Sequence, residues 1–338
     1  MRITILLLAF LLTSCNSTST QRSEGLTAAE DAADEGALPQ EGGYPVTAFR
    51  ETWGYLVAGR EETLQNSYPL TDIGYFGAEV DLYGQLVQVP NPRTIDFYDG
   101  RIHLVVTCNG RSLTYFALEP GSQVRKQLIA DLLAAARGYD GLQIDFELVP
   151  AQARDRFYSF LSELRSGLGS KVFSIALPAR TRRIDQDVFD YQRILPMVDR
   201  ILIMAYDEHW STSAPGPIAS MSWCRNVASY AISAIGPEKL IMGLPFYGRT
   251  WGNVNTNRAF YHSGIERIIR EQNVTEIQRL QGIPHFEYEI PVRVTVYYED
   301  LYSLTSRLEL YHSLGVNAVG FWSLGQENPQ IWDHLQLQ

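Results

Sequence analysis

Cysteine and basic charge are both scarce in this sequence of 338 residues. It has 3 cysteines, and 28 lysines and arginines stand against 38 aspartates and glutamates, which gives a formal net charge of −10. No basic run is present, so we expect no nucleic acid as a partner. The 6 histidines include no ligand-like pair such as HxxxH. The sequence therefore predicts neither a metal site nor a cofactor.

A disulfide framework is also absent from the part of the chain that shows periodic patterns. Only Cys108 and Cys224 lie there. Two cysteines could pair in an oxidising compartment, but their number gives no framework signal. We expect both to be free and packed in the interior.

Long apolar runs are missing except at the N-terminus, in "MRITILLLAFLLTSC". Arg2 precedes an apolar core from Ile3 to Leu12, which is too short to anchor stably across a bilayer. The sequence "LTSC" that follows resembles a bacterial lipobox. It implies a lipoprotein signal peptide over residues 1–15, with cleavage before Cys15 and lipid attached to that cysteine. An ordinary signal peptide with a chance cysteine is the alternative.

The next segment, residues 16–43, is small, polar and acidic. It has almost nothing to bury, so we expect a disordered tether that reaches about 30 Å. The chain would then be lipid-anchored to a membrane of the bacterial cell envelope. Asn16 is not the aspartate that suggests retention at the inner membrane, which favours the outer membrane or a periplasm-facing position.

From residue 44 to residue 338, apolar runs of strand length alternate with helical patterns. Eight strand candidates begin at Thr52, Asp72, Ile102, Leu142, Val172, Ile201, Leu240 and Ala318. This alternation predicts an α/β fold, a (β/α)8 TIM barrel. An open doubly wound sheet is the alternative, but "NGRSL" after the third strand is not a Gly-rich phosphate turn. Residues 252–298 exceed what one helix needs, and we expect a small inserted α+β subdomain between strands 7 and 8.

The stretch "YDGLQIDFELVP" alternates like a buried strand and carries acids on one face. Gln143, Asp145 and Glu147 share that face, and the opposite face holds Leu142, Ile144, Phe146 and Leu148. Burial of two carboxylates is costly unless they are hydrogen-bonded or do chemistry. A polar network that fixes the barrel is the structural alternative to a catalytic site.

Three other strand ends carry polar or aromatic side chains. The sixth strand ends in "MAYD" (Met204–Asp207), the seventh in "PFYGRTW" (Pro245–Trp251), and the eighth carries Trp322. Catalytic side chains of such barrels sit at the C-terminal ends of the strands. Carboxylates, a tyrosine and aromatic faces together are typical of a sugar site. Trp210, after the sixth strand, and Trp251 are further candidates for stacking on sugar.

At these residues the chain resembles glycoside hydrolase family 18. "DGLQIDFE" resembles the family signature DGxDxDxE, and "MAYD" and "GFWSLG" match at the sixth and eighth strands. Residues 296–335 resemble the bacterial branch that includes spore-cortex-lytic N-acetylglucosaminidases. The resemblance implies a retaining glycosidase that cuts β-1,4 linkages next to N-acetylglucosamine in peptidoglycan or chitin-type glycans. It also implies a (β/α)8 barrel, and we expect a monomer.

The resemblance further implies roles for individual side chains. Glu147 would be the general acid, Asp145 would hold the acetamido N–H, and Tyr206 would hydrogen-bond the acetamido carbonyl. The substrate's own acetamido oxygen would be the nucleophile. The implied substrate-binding residues are Gln143, Met204, Asp207, Trp322, Trp210 and Trp251.

One position departs from the family signature, because Gln143 stands where an aspartate is usual. An amide cannot share a proton with Asp145, so we expect Asp145 to stay charged over a wider pH range. The departure also keeps a second hypothesis open, a sugar-binding lipoprotein with weak or no catalysis. An envelope scaffold with a vestigial barrel is a third.

Overall fold

The structure is a computed structural model that describes residues 43–253, 258–290 and 292–338. The predicted signal peptide with Cys15 and all of the predicted tether except Gly43 lie outside these ranges. Among the helices described, none combines the length and the apolar character that crossing a membrane requires.

Eight parallel strands form a closed barrel, as predicted. We call them barrel strands 1 to 8. They are Glu51–Val57, Asp72–Val80, Arg101–Thr107, Gly141–Asp145, Val172–Pro178, Arg200–Met204, Leu240–Pro245 and Ala318–Trp322. Strand 1 pairs in parallel with both strand 2 and strand 8, which closes the sheet.

Helices follow the later barrel strands, and one further helix lies in the insertion between strands 7 and 8. The α-helices are Arg111–Ala117, Gln123–Ala135, Arg154–Leu168, Tyr191–Ile194, Met221–Ile235, His262–Glu271 and Leu301–Ser313. The first two connections instead hold 3-10 turns at Glu61–Thr63 and Pro92–Ile95, and a short strand, Leu86–Val87, that folds back on strand 2. The expected strand–helix alternation therefore begins only after strand 3.

Local sequence explains how individual helices form. The helix Gln123–Ala135 begins at Ser122, whose hydroxyl accepts a hydrogen bond from the Arg125 backbone N–H, as an N-cap should. The helix Arg154–Leu168 buries Phe157, Phe160 and Leu161 completely against the barrel. Helical periodicity places these three on one face, which holds the helix over strand 4.

Strand 4 is shorter than its sequence pattern predicts. It ends at Asp145, and a turn carries Glu147 and Leu148 out of the sheet. Phe146 is buried as expected, but Leu148 is 37% exposed, so its predicted burial is wrong. The turn overrides the alternation because the chain must leave the barrel to start its next helix.

The N-terminal end of the barrel is closed by a charged network. His103 donates from Nε2 to Asp72 Oδ1 at 2.7 Å, and Arg101 Nε lies 2.7 Å from the same oxygen. Arg200 donates two hydrogen bonds to Glu51. Paired and hydrogen-bonded carboxylates escape the cost of bare burial. This end of a barrel usually serves stability.

The inserted α+β subdomain is present between strands 7 and 8. Its five-stranded antiparallel sheet contains Tyr247–Gly252, Arg258–Tyr261, Gln278–Leu280, Ile283–Ile290 and Val292–Tyr297, with the helix His262–Glu271 packed on it. The first of these strands lies almost wholly before the expected start at residue 252. The end of the motif "PFYGRTW" is therefore part of the subdomain sheet.

The two ends of the described chain meet below the barrel. The strand Thr47–Phe49 pairs in parallel with Leu335–Leu337. Cys108 and Cys224 are free and buried, as expected. Within residues 43–253, 258–290 and 292–338, no group of three or more metal-ligating side chains is found.

Candidate active site

A cleft of about 220 Å³ opens at the C-terminal end of the barrel. Its walls come from strands 2, 4, 6 and 8 and from the subdomain. They are formed by Phe76, Asp145, Glu147, Met204, Tyr206, Asp207, Tyr247, Arg249, Ala259, Trp322 and Gln326. Six of the nine predicted site residues therefore line one cleft, although they are spread over nearly 180 positions in sequence.

The two carboxylates of the fourth strand end have raised pKa values. Burial, and secondly the charge of Glu147, raises the pKa of Asp145 well above its ordinary value. Burial, and secondly the charge of Asp207, raises the pKa of Glu147. Glu147 lines the cleft and remains exposed to solvent. A glutamic acid that keeps its proton at a pH where an ordinary glutamate has lost it is suited to general acid chemistry.

Gln143 lies beneath the cleft and does not line it. It is fully buried, accepts a 2.6 Å hydrogen bond from the Tyr55 hydroxyl, and donates from Nε2 to Ser174 Oγ at 3.1 Å. The expected contact between Gln143 and substrate is therefore corrected to a supporting position. These two partners fix the amide orientation, because the amide oxygen must face the hydroxyl donor.

The Asp207 carboxylate is held by one cationic donor and one phenolic donor. Arg249 donates to both of its carboxylate oxygens, at 2.7 and 2.9 Å from Nη2, and the Tyr247 hydroxyl donates at 2.5 Å. The Asp207 backbone has φ +58°, a left-handed conformation that aspartate tolerates better than most residues. A planar guanidinium bound to both oxygens fixes the carboxylate more firmly than a point charge would.

The floor of the cleft is aromatic. The Trp322 ring packs edge-on against Phe76, with 4.8 Å between ring centres, and lies tilted against Tyr55, with 5.7 Å between ring centres. Beside it, Met204 and Tyr206 complete the apolar lining. Burial raises the pKa of Tyr206 well above its ordinary value, so its hydroxyl remains a hydrogen-bond donor at physiological pH.

The two remaining tryptophans do not line the cleft. Trp251 is only 4% exposed and packs edge-on against Tyr297, and its indole donates to the Trp210 carbonyl at 3.2 Å. Its expected contact with sugar is wrong, because it belongs to the interior that joins the subdomain to the barrel. Trp210 is 52% exposed beside this interior. Stacking of an extended substrate on Trp210 stays a prediction.

Several lining residues carry no strong sequence signal. Phe76 reads as an ordinary core position of strand 2, and Tyr247 was included only within the strand-end motif. Ala259 and Gln326 come from the subdomain and from the loop after strand 8. No spacing rule connects them to the catalytic strand, because only the closed barrel and the subdomain bring them together.

Comparison with known proteins agrees with this geometry. The profile of glycosyl hydrolases family 18 matches residues 105–327, more than half of the chain. The chain belongs to this family. The matched range contains the fourth, sixth and eighth strand ends, and so it includes every cleft-lining residue except Phe76.

Relatives with similar sequences are found among bacilli. YdhD of Bacillus subtilis, whose name places it with sporulation-specific glycosylases, is 34% identical over 204 residues, 57% of this chain and 48% of YdhD. A cortical fragment-lytic enzyme of Bacillus subtilis is 26% identical over 289 residues, 78% of this chain and 66% of the relative. The chain thus spans about half to two thirds of these relatives.

A solved structure supports the same architecture. The spore cortex-lytic enzyme SleL of Bacillus cereus superposes with a TM-score of 0.77 at 24% identity, covering 86% of this chain and 76% of that chain. At this identity the likeness concerns the fold. It agrees with the closed barrel of eight parallel strands.

Proposed function

We propose that this protein is a retaining glycosidase that hydrolyses β-1,4 linkages next to N-acetylglucosamine by substrate-assisted catalysis. One observation carries the proposal. Asp145 Oδ1 is buried, and no group in the described part of the chain donates a hydrogen bond to it. It lies in the same cleft as Glu147, over the Trp322 floor. A buried acceptor without a donor is costly, so its donor is expected from the substrate.

An acetamido N–H is the donor that fits this acceptor. Its hydrogen bond favours the charged form of Asp145 and so lowers the carboxyl pKa, which burial raises. Tyr206 donates to the acetamido carbonyl and directs its oxygen at the anomeric carbon. Asp207 is already held by Arg249 and Tyr247, so it is poorly placed to act as a protein nucleophile.

The reaction then proceeds in two balanced steps. In the first, Glu147 protonates the glycosidic oxygen, the bond from that oxygen to the anomeric carbon breaks, and the acetamido oxygen bonds to the anomeric carbon. The resulting oxazolinium ion is stabilised by the Asp145 carboxylate. In the second, Glu147 removes a proton from water, which attacks the anomeric carbon and regenerates the acetamido group. Two inversions give net retention. Because the nucleophile is already held in line, proximity lowers the barrier substantially.

Hydrolysis of a fluorogenic chitobioside tests this mechanism. We expect turnover by the full chain and a loss of about 10²- to 10⁴-fold in Glu147→Gln, which keeps the shape of the side chain but cannot donate the acidic proton. De-acetylated oligomers should bind and remain uncut. Equal cleavage of acetylated and de-acetylated oligomers would contradict the substrate-assisted mechanism. Tight binding of acetylated oligomers with no turnover would instead show a sugar-binding protein.

Peptidoglycan is the substrate that we propose first, ahead of chitin-type oligosaccharides. The cortex-lytic names of two relatives support this choice. The expected lipid anchor would also hold the cleft within tether reach of the envelope. Mass spectrometry of the products released from purified peptidoglycan and from chitin oligomers distinguishes the two substrates.

Lipidation of Cys15 and a position in the bacterial envelope are also proposed. Their support is the lipobox-like sequence and the acidic segment that follows it. Fractionation of cells that express the full chain should place it with membranes, and Cys15→Ala should release it. Equal membrane association of the two proteins would reject the anchor.

A further inference from the structure

One wall of the cleft joins three separate parts of the chain. It stands beside barrel strands 8 and 1. The loop after strand 8 supplies Gln326, the subdomain supplies Ala259, and both line the cleft. The His262 backbone N–H, which follows the subdomain strand Arg258–Tyr261, donates to the Gln326 carbonyl at 3.2 Å. The subdomain edge and the loop after strand 8 thus form one continuous surface.

The loop after strand 1 is bonded to the same wall. Arg60 donates from Nη1 to the Tyr261 hydroxyl at 2.6 Å, and its guanidinium carbon lies 5.1 Å from the centre of that ring. On its other side, the loop is close to the loop after strand 8. A Cβ atom added to Gly325 would come within 2.5 Å of Thr63 Cγ2, and Gly325 has φ +82°. Only glycine tolerates both constraints, so the two loops can approach this closely.

On the opposite side, the lining residues from the described chain include Asp145 at the end of strand 4 and Glu147 in the turn that follows it, and none comes from the connections after strands 3 or 5. In a ring of eight strands, strand 4 lies across from strands 8 and 1. In the proposed mechanism, the sugar whose bond is cut lies over Trp322, and its leaving group lies next to the acid Glu147. The rest of the glycan on the non-reducing side therefore points towards the wall.

We propose that the Arg60–Tyr261 bridge closes the non-reducing end of the cleft, so that the protein removes short fragments from the non-reducing ends of glycan chains. Arg60 and Tyr261 act as specificity-determining residues that do not touch the reacting atoms. This inference rests on the proposed glycosidase function and deepens it, because it assigns the direction and the length of the products. Both side chains are partly exposed, so they can be changed without opening the core.

The test uses the full chain and N-acetylglucosamine oligomers labelled at the reducing end. Early products, separated by mass, show where each chain is cut. We expect the unchanged protein to release one or two unlabelled sugars and a long labelled remainder. In Arg60→Ala the ratio of mid-chain to terminal cuts should rise about two- to fivefold, as loss of an exposed cation–aromatic contact implies. Tyr261→Phe, which keeps the ring and removes only the hydroxyl, should give a smaller rise.

Arg50→Ala is the matched control, because Arg50 forms an exposed ion pair with Glu238 at the far end of the barrel. It should leave the product pattern unchanged. Mid-chain cutting by the unchanged protein from the first time point, or an unaltered pattern in Arg60→Ala, would overturn the wall proposal while leaving the glycosidase intact. Absence of any cleavage by the unchanged protein would overturn both the proposed function and the wall that rests on it.

Discussion

At the scale of single residues, Asp207 links the electrostatics of the cleft to its geometry. Its carboxylate is fixed by Arg249 and Tyr247, and its charge adds to burial in raising the pKa of Glu147. Glu147 must be protonated to act as an acid, so its raised pKa extends activity towards higher pH. The basic limb of the pH profile should therefore lie above the range of an ordinary glutamate.

Substitution Asp207→Asn should move the basic limb of kcat/KM to lower pH. The change removes a negative charge near Glu147 and leaves the Arg249 charge uncompensated, and both effects lower the Glu147 pKa. Asp155→Asn, at a side chain that is 80% exposed on the outer helix, is the control and should leave the profile in place. A basic limb that does not move in Asp207→Asn would show that the Asp207 charge does not act on Glu147.

Gln143 shows how a departure from a signature acts through its neighbours. The hypothesis that Asp145 stays charged over a wider pH range now has to include burial, which raises the Asp145 pKa even though residue 143 cannot ionise. What Gln143 removes is the possibility of a shared proton, not the cost of burying Asp145. We therefore still expect Asp145 to titrate without a second carboxyl at position 143.

The substitution Gln143→Asp should change the acid limb of the pH profile, because it adds a third carboxyl that couples to the Asp145–Glu147 pair. It should also lower the free energy of unfolding by about 1–3 kcal/mol, because the shorter side chain cannot reach both Tyr55 and Ser174. Ser174→Ala is the control, since it removes one hydrogen bond and adds no carboxyl. Acid limbs that coincide in the wild type and Gln143→Asp would reject the hypothesis.

At the scale of elements, the N-terminal ends of strands 1, 2, 3 and 6 are joined by ion pairs and not by apolar packing alone. Burial would by itself raise the pKa of Asp72, but hydrogen bonds from His103 and Arg101 outweigh it and lower that pKa. A carboxyl whose pKa is lower in the folded than in the unfolded state stabilises the fold above its unfolded pKa. That stability is lost as the pH falls through the folded pKa.

Asp72→Asn should lower the free energy of unfolding at pH 7 by about 1–3 kcal/mol, because it removes the charged acceptor of the buried His103 ring and the ion-pair partner of the half-exposed Arg101. Chemical denaturation from pH 7 down to about pH 3 should show a shallower acid-side decline in the variant, since the group that titrates is gone. Asp99→Asn, at an exposed position, should match the wild type. Equal pH dependence in all three proteins would contradict this role for the barrel end.

At the scale of the whole molecule, the last strand of the described residues pairs with the first of them. Leu335–Leu337 lies parallel to Thr47–Phe49, and Leu335 is 3% exposed whereas Leu337 is 45% exposed. The two leucines belong to one short strand and differ mainly in burial. They therefore offer a direct measure of what the closure of the chain ends contributes to stability.

Leu335→Ala should lower the free energy of unfolding by about 2–4 kcal/mol, the usual cost of truncating a buried leucine. Leu337→Ala, its exposed neighbour, should change it by no more than about 0.5 kcal/mol. Denaturant titrations of the two variants beside the wild type give both values. Equal effects would show that the terminal pairing, and not the burial of Leu335, governs the contribution of this strand.

The sequence by itself determined the eight barrel strands, the position of the insertion, and the strand ends that meet in the cleft. These features follow from hydrophobic periodicity and from the rule that parallel strands share one catalytic edge, and both are local properties of the chain. The cleft positions of Asp145, Glu147, Tyr206, Asp207 and Trp322 were predictable for that reason.

Only the tertiary structure decided where strand 4 ends, that Gln143 supports the site from below, and that Trp251 is buried. It also decided which parts of the chain wall the cleft, since Arg60 and Tyr261 are 201 positions apart. The physical reason is common to these cases. Each depends on which distant side chain occupies the neighbouring space, and periodicity along the chain specifies a face but not the partner that covers it.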